Sequence, residues 1–345
     1  MQGKSMNSKT PNRIAEISFI RVICAFGIAI YHFNGISNCG DRLFYRTANG
    51  WWGTVLVTIF FAISGGVLFY NYPKVTNLKQ YYYKRLKAIF PAFYLCFAFF
   101  FVQNVFKYNT FFYEGRPMSL ILSLLGMDGY FLYLVPNYYI VGEWFLGAII
   151  ILYILYPFIV DIYKKTPIVL SLLIVVGYII VVSTRIFKMD NSRNPVTCLL
   201  SFFFGIVIMD NRKVLENNKV VMLSLLISVV LIFQHVPIES NIVQHLLGFA
   251  LFVVLFRIGR CVMRYGKLSS IISKLDNLSF PIFLFQHIVV GKFIGLWNPN
   301  GLANTVFWNM IALVYTVICA KILLVLVETV KHSKLMIRLD DRILK

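Results

Sequence analysis

Ten apolar blocks, each about 20 residues long, constrain the fold of this chain more than any motif in it. That is the length at which an α-helix crosses a hydrocarbon core of ~30 Å. The blocks lie near 14–34, 51–70, 88–106, 142–163, 167–184, 196–210, 220–235, 241–257, 279–297 and 304–327. With 59% hydrophobic, 17% aromatic and only 14% charged residues, a soluble domain could not hide so much apolar surface. The expected fold is therefore an all-α polytopic membrane protein, a single transmembrane domain over 1–345. No soluble domain, internal repeat or low-complexity tract stands out.

A formal net charge of +19 would suit a nucleic-acid binder in a soluble chain. In a membrane chain, basic residues mostly record orientation, so the expected partners are lipids and not nucleic acid. With an internal N-terminus, 23 basic residues fall in inner segments and seven (Arg42, Arg46, Lys107, Arg116, Arg185, Lys188 and Arg193) in outer loops. This asymmetry predicts ten spans with both termini in the cytoplasm. The segment 118–136 is long enough to cross, but Asp128-Gly129 interrupts it, and crossing would move every later basic loop outside. It is expected to be a re-entrant or interfacial element, tolerable where protein buries it. The first block follows Lys4, Lys9 and Arg13 and lacks a small-residue cleavage site, which suits a retained span over a cleaved signal peptide. Six cysteines without a CxxC pair imply neither a metal nor a disulfide framework.

Inside the first block stand Arg21 and His32. Ionisable groups in a membrane are costly and usually functional. Eleven residues return to nearly the same helix face, ~16 Å further along the axis. One face thus presents a cation toward the cytoplasm and an imidazole toward the outside, as a polar internal passage would need.

Further polar groups punctuate the other blocks. "FFAISGG" (60–66) puts Ser64, Gly65 and Gly66 in an apolar run, where small residues serve close helix packing or leave a hydroxyl for a ligand. "YYYKRLKAIFP" (81–91) carries Lys84, Arg85 and Lys87 in the inner loop before Pro91 opens the third span. These cations record orientation or grip phosphates of a cytoplasmic ligand. Glu143 opens the fourth span on the side where His32 lies and could orient its imidazole. His287, in "LSFPIFLFQH" (278–287), lies near mid-membrane, either hydrogen-bonded across helices or part of a site.

Taken in order, Arg21 with His32, "FFAISGG", "KRLKAIFP", "EWFL…LYILYP" and "LSFPIFLFQH" resemble the integral-membrane acyltransferase-3 family over roughly residues 13–288. The resemblance implies ten membrane helices and transfer of an acyl group, usually acetyl, from cytoplasmic acyl-CoA to a hydroxyl of an extracytoplasmic acceptor such as a glycan. It implies that Arg21 and His32 match the family's essential pair, and that Arg85 matches an arginine near the acyl-CoA. Two positions depart from the pattern: Ala88 stands where a second arginine is frequent, and Ile149 where many members carry a glutamate.

The expected chemistry centres on His32 as general base toward the acceptor hydroxyl. Lys84, Arg85 and Lys87 would hold the CoA phosphates, Arg21 would line the donor channel, and Ser64 or His287 would hydrogen-bond the acyl carbonyl or oxyanion. Glu143 would fix the imidazole. No metal is required. A covalent variant would carry the acyl group on His32 or Cys24. The competing expectation is a proton-coupled transporter of a glycan or lipid, against which no duplicated half is visible. The expected location is the bacterial plasma membrane.

Overall fold

Each apolar block becomes a helix because the bilayer interior offers a backbone no hydrogen-bond partner but its own. The structure, a computed structural model, describes residues 13–37, 44–113, 116–138, 140–184, 186–187, 189–297 and 301–344. It is 81% helical. The elements in order are α1 (Ala15–Ile36), β1 (Arg46–Thr47), β2 (Gly50–Trp51), α2 (Trp52–Asn71), α3 (Leu78–Tyr108), α4 (Leu120–Leu125) and α5 (Asp128–Phe131). After them come α6 (Glu143–Lys165), α7 (Pro167–Thr184), α8 (Pro195–Asp210), α9 (Asn218–Phe233) and α10 (Ser240–Val262). The chain continues with α11 (Gly266–Asp276), α12 (Ser279–Trp297), α13 (Leu302–Lys331) and α14 (Lys334–Leu344).

Among the described residues, eight helices (α1, α2, α3, α6, α7, α10, α12 and α13) are long and apolar enough to cross a membrane. The remaining two blocks form the shorter apolar helices α8 and α9 of 16 residues, about 24 Å each. Large apolar side chains such as Leu172, Val176, Phe307 and Ile322 stay exposed on the outer faces of α7 and α13, where lipid would cover them. Arg42, Arg185 and Lys188 of the outer basic set, and Lys4, Lys9 and Cys39, lie outside the described residues.

Asparagine side chains cap three of the helices. Asn77, Asn194 and Asn217 accept from the backbone N–H of Gln80, Val196 and Lys219, which satisfies donors that the first turn leaves open. The tightest crossing joins α2 to α8. A Cβ added to Gly65 would lie 1.9 Å from the Phe202 carbonyl oxygen, and one added to Gly205 equally near that of Ala62. Backbones touch there because both helices carry glycine at the crossing.

Two expectations change together: where the third span starts, and the inner loop expected before it. The third span does not open at Pro91: α3 is helical from Leu78 and runs 31 residues through that proline. The lost hydrogen bond of Pro91 is offset by anchors on the preceding turns, where Tyr81 and Tyr82 donate to the carbonyls of Tyr153 and Ile154 on α6. Lys84, Arg85 and Lys87 therefore sit on a helix and diverge around it, since successive residues turn by about 100°. Segment 118–136, expected not to cross, forms a 3-10 turn at Pro117–Ser119 and the short α4 and α5, broken at Gly126 (φ 68°), with α5 packed against α6. It contains no spanning helix.

Candidate functional site

A cavity of about 350 Å³ runs among α1, α2, α3, α6 and α12. Five of the sequence-selected residues line it: Arg21, His32, Ser64, Arg85 and Glu143. The periodicity of α1 accounts for the first two, because both project from one face three turns apart.

At the Arg21 end the cavity meets Asp276, whose side chain is fully buried. Its Oδ1 accepts from Arg21 Nη1 at 2.6 Å. Its Oδ2 accepts from Arg13 at 2.8 Å and from the Ser18 hydroxyl at 2.7 Å. A carboxylate taken out of water needs this many donors. Arg21 keeps part of its guanidinium open to the cavity, with 29% of its side chain exposed. Asp276 was not selected from the sequence. The available signal was a single acid just after the basic stretch 257–274, two residues before "LSFPIFLFQH".

Arg85 stands on the α3 wall inside a ring of tyrosines, 5.3 Å from the Tyr72 ring and 5.9 Å from that of Tyr153. Such faces favour a cation. Ala88, one turn on, lines the cavity too, as does Ile149 of α6, so both departures from the family pattern lie on its wall. Lys87 points elsewhere and pairs with Asp340 of α14 at 2.5 Å, and Tyr83 donates to the same carboxylate. Lys84 is half-buried and outside the lining, and Cys24 is fully buried and likewise outside it.

At the other end, His287 of α12 meets His32 with ring centroids 5.2 Å apart and planes at 73°. Its Nδ1 lies 2.7 Å from Glu143 Oε1. Glu143 is thus in close contact with His287, and its carboxylate also lies near His32. Glu143 is held at φ 33° immediately after Gly142 at φ 97°, a left-handed pair that a glutamate rarely enters. Gly129 of α5 packs so closely on this turn that a Cβ there would lie 2.6 Å from the Glu143 carbonyl carbon. The interrupted segment thereby sets the aim of the carboxylate. Ligand atoms of His32, Glu143 and His287 all lie within 4.8 Å of one another, so the trio could also hold a metal ion. At 2.7 Å Glu143 and His287 form an ion pair whenever the imidazole is protonated.

A second, more polar cavity of about 570 Å³ opens beside β2, lined by Trp51, Asp190, Asn191, Glu239, Asn241 and Gln244 among others. A run of ring contacts leads from it to His32: Trp51 to Tyr45 at 5.1 Å, Tyr45 to Tyr31 at 5.1 Å, and Tyr31 to His32 at 5.3 Å.

One cavity therefore joins a half-buried cation, an arginine in an aromatic cage and a histidine array, a set suited to holding an anionic donor and moving a proton. Compared with known proteins, the chain matches a family profile described as an acyltransferase domain over residues 14–325, nearly its whole length. No curated protein and no solved structure matches it. With that span covered and its helices apolar enough to cross a bilayer many times, the chain belongs to the acyltransferase-3 family and is a multi-pass membrane acyltransferase.

Proposed function

We propose that this enzyme moves an acyl group, in the first instance acetyl, from cytoplasmic acyl-CoA to a hydroxyl of an extracytoplasmic or surface glycan, with His32 as general base. The observation that carries this reading is that Arg21, Arg85 and His32 line one cavity. The donor enters from the side of Arg85, with its phosphates at Arg85. The acceptor arrives through the polar cavity beside Trp51, whose carboxylates, amides and indole suit a polyhydroxylated ligand. The orientation assumed is ten spans with both termini in the cytoplasm of a bacterial plasma membrane.

A nitrogen of His32 accepts the proton of the acceptor hydroxyl as its oxygen attacks the thioester carbonyl carbon. The tetrahedral oxyanion takes a hydrogen bond from Ser64 or His287, and Arg21 lines the donor channel. When the C–S bond breaks, the thiolate leaves and recovers the proton from the imidazolium. Glu143 acts through His287, stabilising positive charge on the histidine pair. No metal ion takes part. Membership of an acyltransferase family favours transfer over the competing reading of a proton-coupled exporter.

The test is purified protein with radiolabelled acetyl-CoA and a panel of bacterial surface glycans, wild type against His32→Ala. Label reaching a glycan in wild type and not in the variant supports the reading. Wild-type protein that folds but neither binds acetyl-CoA nor releases CoA overturns it.

A further inference from the structure

Gln286 precedes His287 on α12 and lines the cavity that holds His32. It is fully buried, yet neither Nε2 nor Oε1 of its side chain has a hydrogen-bond partner among the described residues. A buried amide left this way carries an uncompensated desolvation penalty, and such groups in native proteins call for a reason. Seven residues earlier, two turns back on the same face, the buried hydroxyl of Ser279 lines the same cavity and also has no partner among the described residues. Phe280 and Phe283 line the wall between them. One face of α12 thus offers a polar, apolar, polar series along the cavity, with the two polar ends about 10 Å apart.

That series selects among possible occupants. A primary amide presents a donor and an acceptor side by side, and another amide answers both at once. A fatty acyl chain would satisfy neither atom. A glycan would have to bring its hydroxyls deep between phenylalanines. We propose that Gln286 binds the secondary amide two carbons from the sulfur in a pantetheine-type thioester, and that Ser279 takes a polar group further along the same arm. The inference rests on the acyl-thioester donor of the preceding reading. Because the ring of His287, the next residue, lies 5.2 Å from that of His32, an amide held at Gln286 places the thioester carbonyl beside the base.

The test compares two small donors in wild type and Gln286→Met. S-Acetyl-N-acetylcysteamine carries that one amide, and S-pentyl thioacetate has carbons in its place. Wild type is expected to favour the amide donor in kcat/KM by at least about tenfold, since a site built to hydrogen-bond a group rejects the analogue lacking it. In Gln286→Met the ratio falls to within about twofold. Thermal unfolding without ligand is the second readout: the variant, free of the orphaned amide, is at least as stable as wild type. A ratio unchanged by the substitution overturns the inference and leaves acyl transfer standing. Equal loss on both donors with a lowered melting temperature makes Gln286 structural and overturns it as well. If wild type transfers from neither small donor nor acetyl-CoA, the thioester reading falls and this inference falls with it.

Discussion

The Arg21 guanidinium lies 2.6 Å from a carboxylate, Asp276, that is 255 residues away in sequence and wholly buried. Arg13 and Ser18 share that carboxylate, so the bonds are not equivalent. Asp276→Ala strands two arginines and is expected to cost about 3 kcal/mol or more. Arg21→Ala leaves Asp276 with its other donors and should cost less. Thermal unfolding in detergent gives the order; a larger loss for Arg21→Ala would contradict this account of the cluster.

In the histidine array, removing the base should matter most. His32→Ala is expected to lower acyl transfer by about 10³-fold, within the range for a general base. Glu143→Gln, acting one ring away, should cost about tenfold to 10²-fold. Because Glu143 pairs with His287 at 2.7 Å, the double variant Glu143→Gln/His287→Ala should be little worse than the poorer single one. Additive losses would show that the two act separately.

At the α2–α8 crossing, Gly65→Ala drives a methyl into the Phe202 carbonyl. The helices must separate, at an expected cost of about 2 kcal/mol or more. Gly177→Ala in α7 is the control, since its nearest neighbour would be 3.8 Å away. There the better helix former should stabilise by about 0.5–1 kcal/mol. Melting temperatures moving in the same direction would refute the packing argument.

Asp128, outside the spanning helices, is 1% exposed, and burial pushes its carboxyl up to about 6, with the Ser123 hydroxyl opposing. A carboxyl raised in the folded state binds more protons than in the unfolded one. Its ionisation therefore weakens the fold as pH rises from its ordinary 3.8 through about 6. Asp128→Asn should raise stability at neutral pH by about 2 kcal/mol and flatten the profile across that window. Unfolding curves at pH 4, 5, 6 and 7 decide it, and an unchanged slope would sink the prediction.

Helix existence was legible because a bilayer leaves an apolar run of 20 residues few alternatives, and all ten blocks are helices. The shared face of Arg21 and His32 was legible too, because helical periodicity is a local property. Pro91 misled: it marks a helix start by local rule, but tyrosine hydroxyls on α3 reach α6 carbonyls and extend the helix thirteen residues upstream. Lys84, Arg85 and Lys87 looked equivalent as a string, whereas on a helix only Arg85 reaches the cavity.

The sequence by itself determined the class of fold and the residues with chemistry to offer, since both follow from hydropathy and spacing along one helix. Only the tertiary structure decided their partners. Asp276 meets Arg21 because the amphipathic α11 lies across the end of α1. Glu143 meets His287 because the turn at Gly142 is pinned under Gly129. Such pairings depend on how distant helices cross, and the bilayer, being equally apolar toward every helix, specifies none of them; close packing and buried polar contacts do.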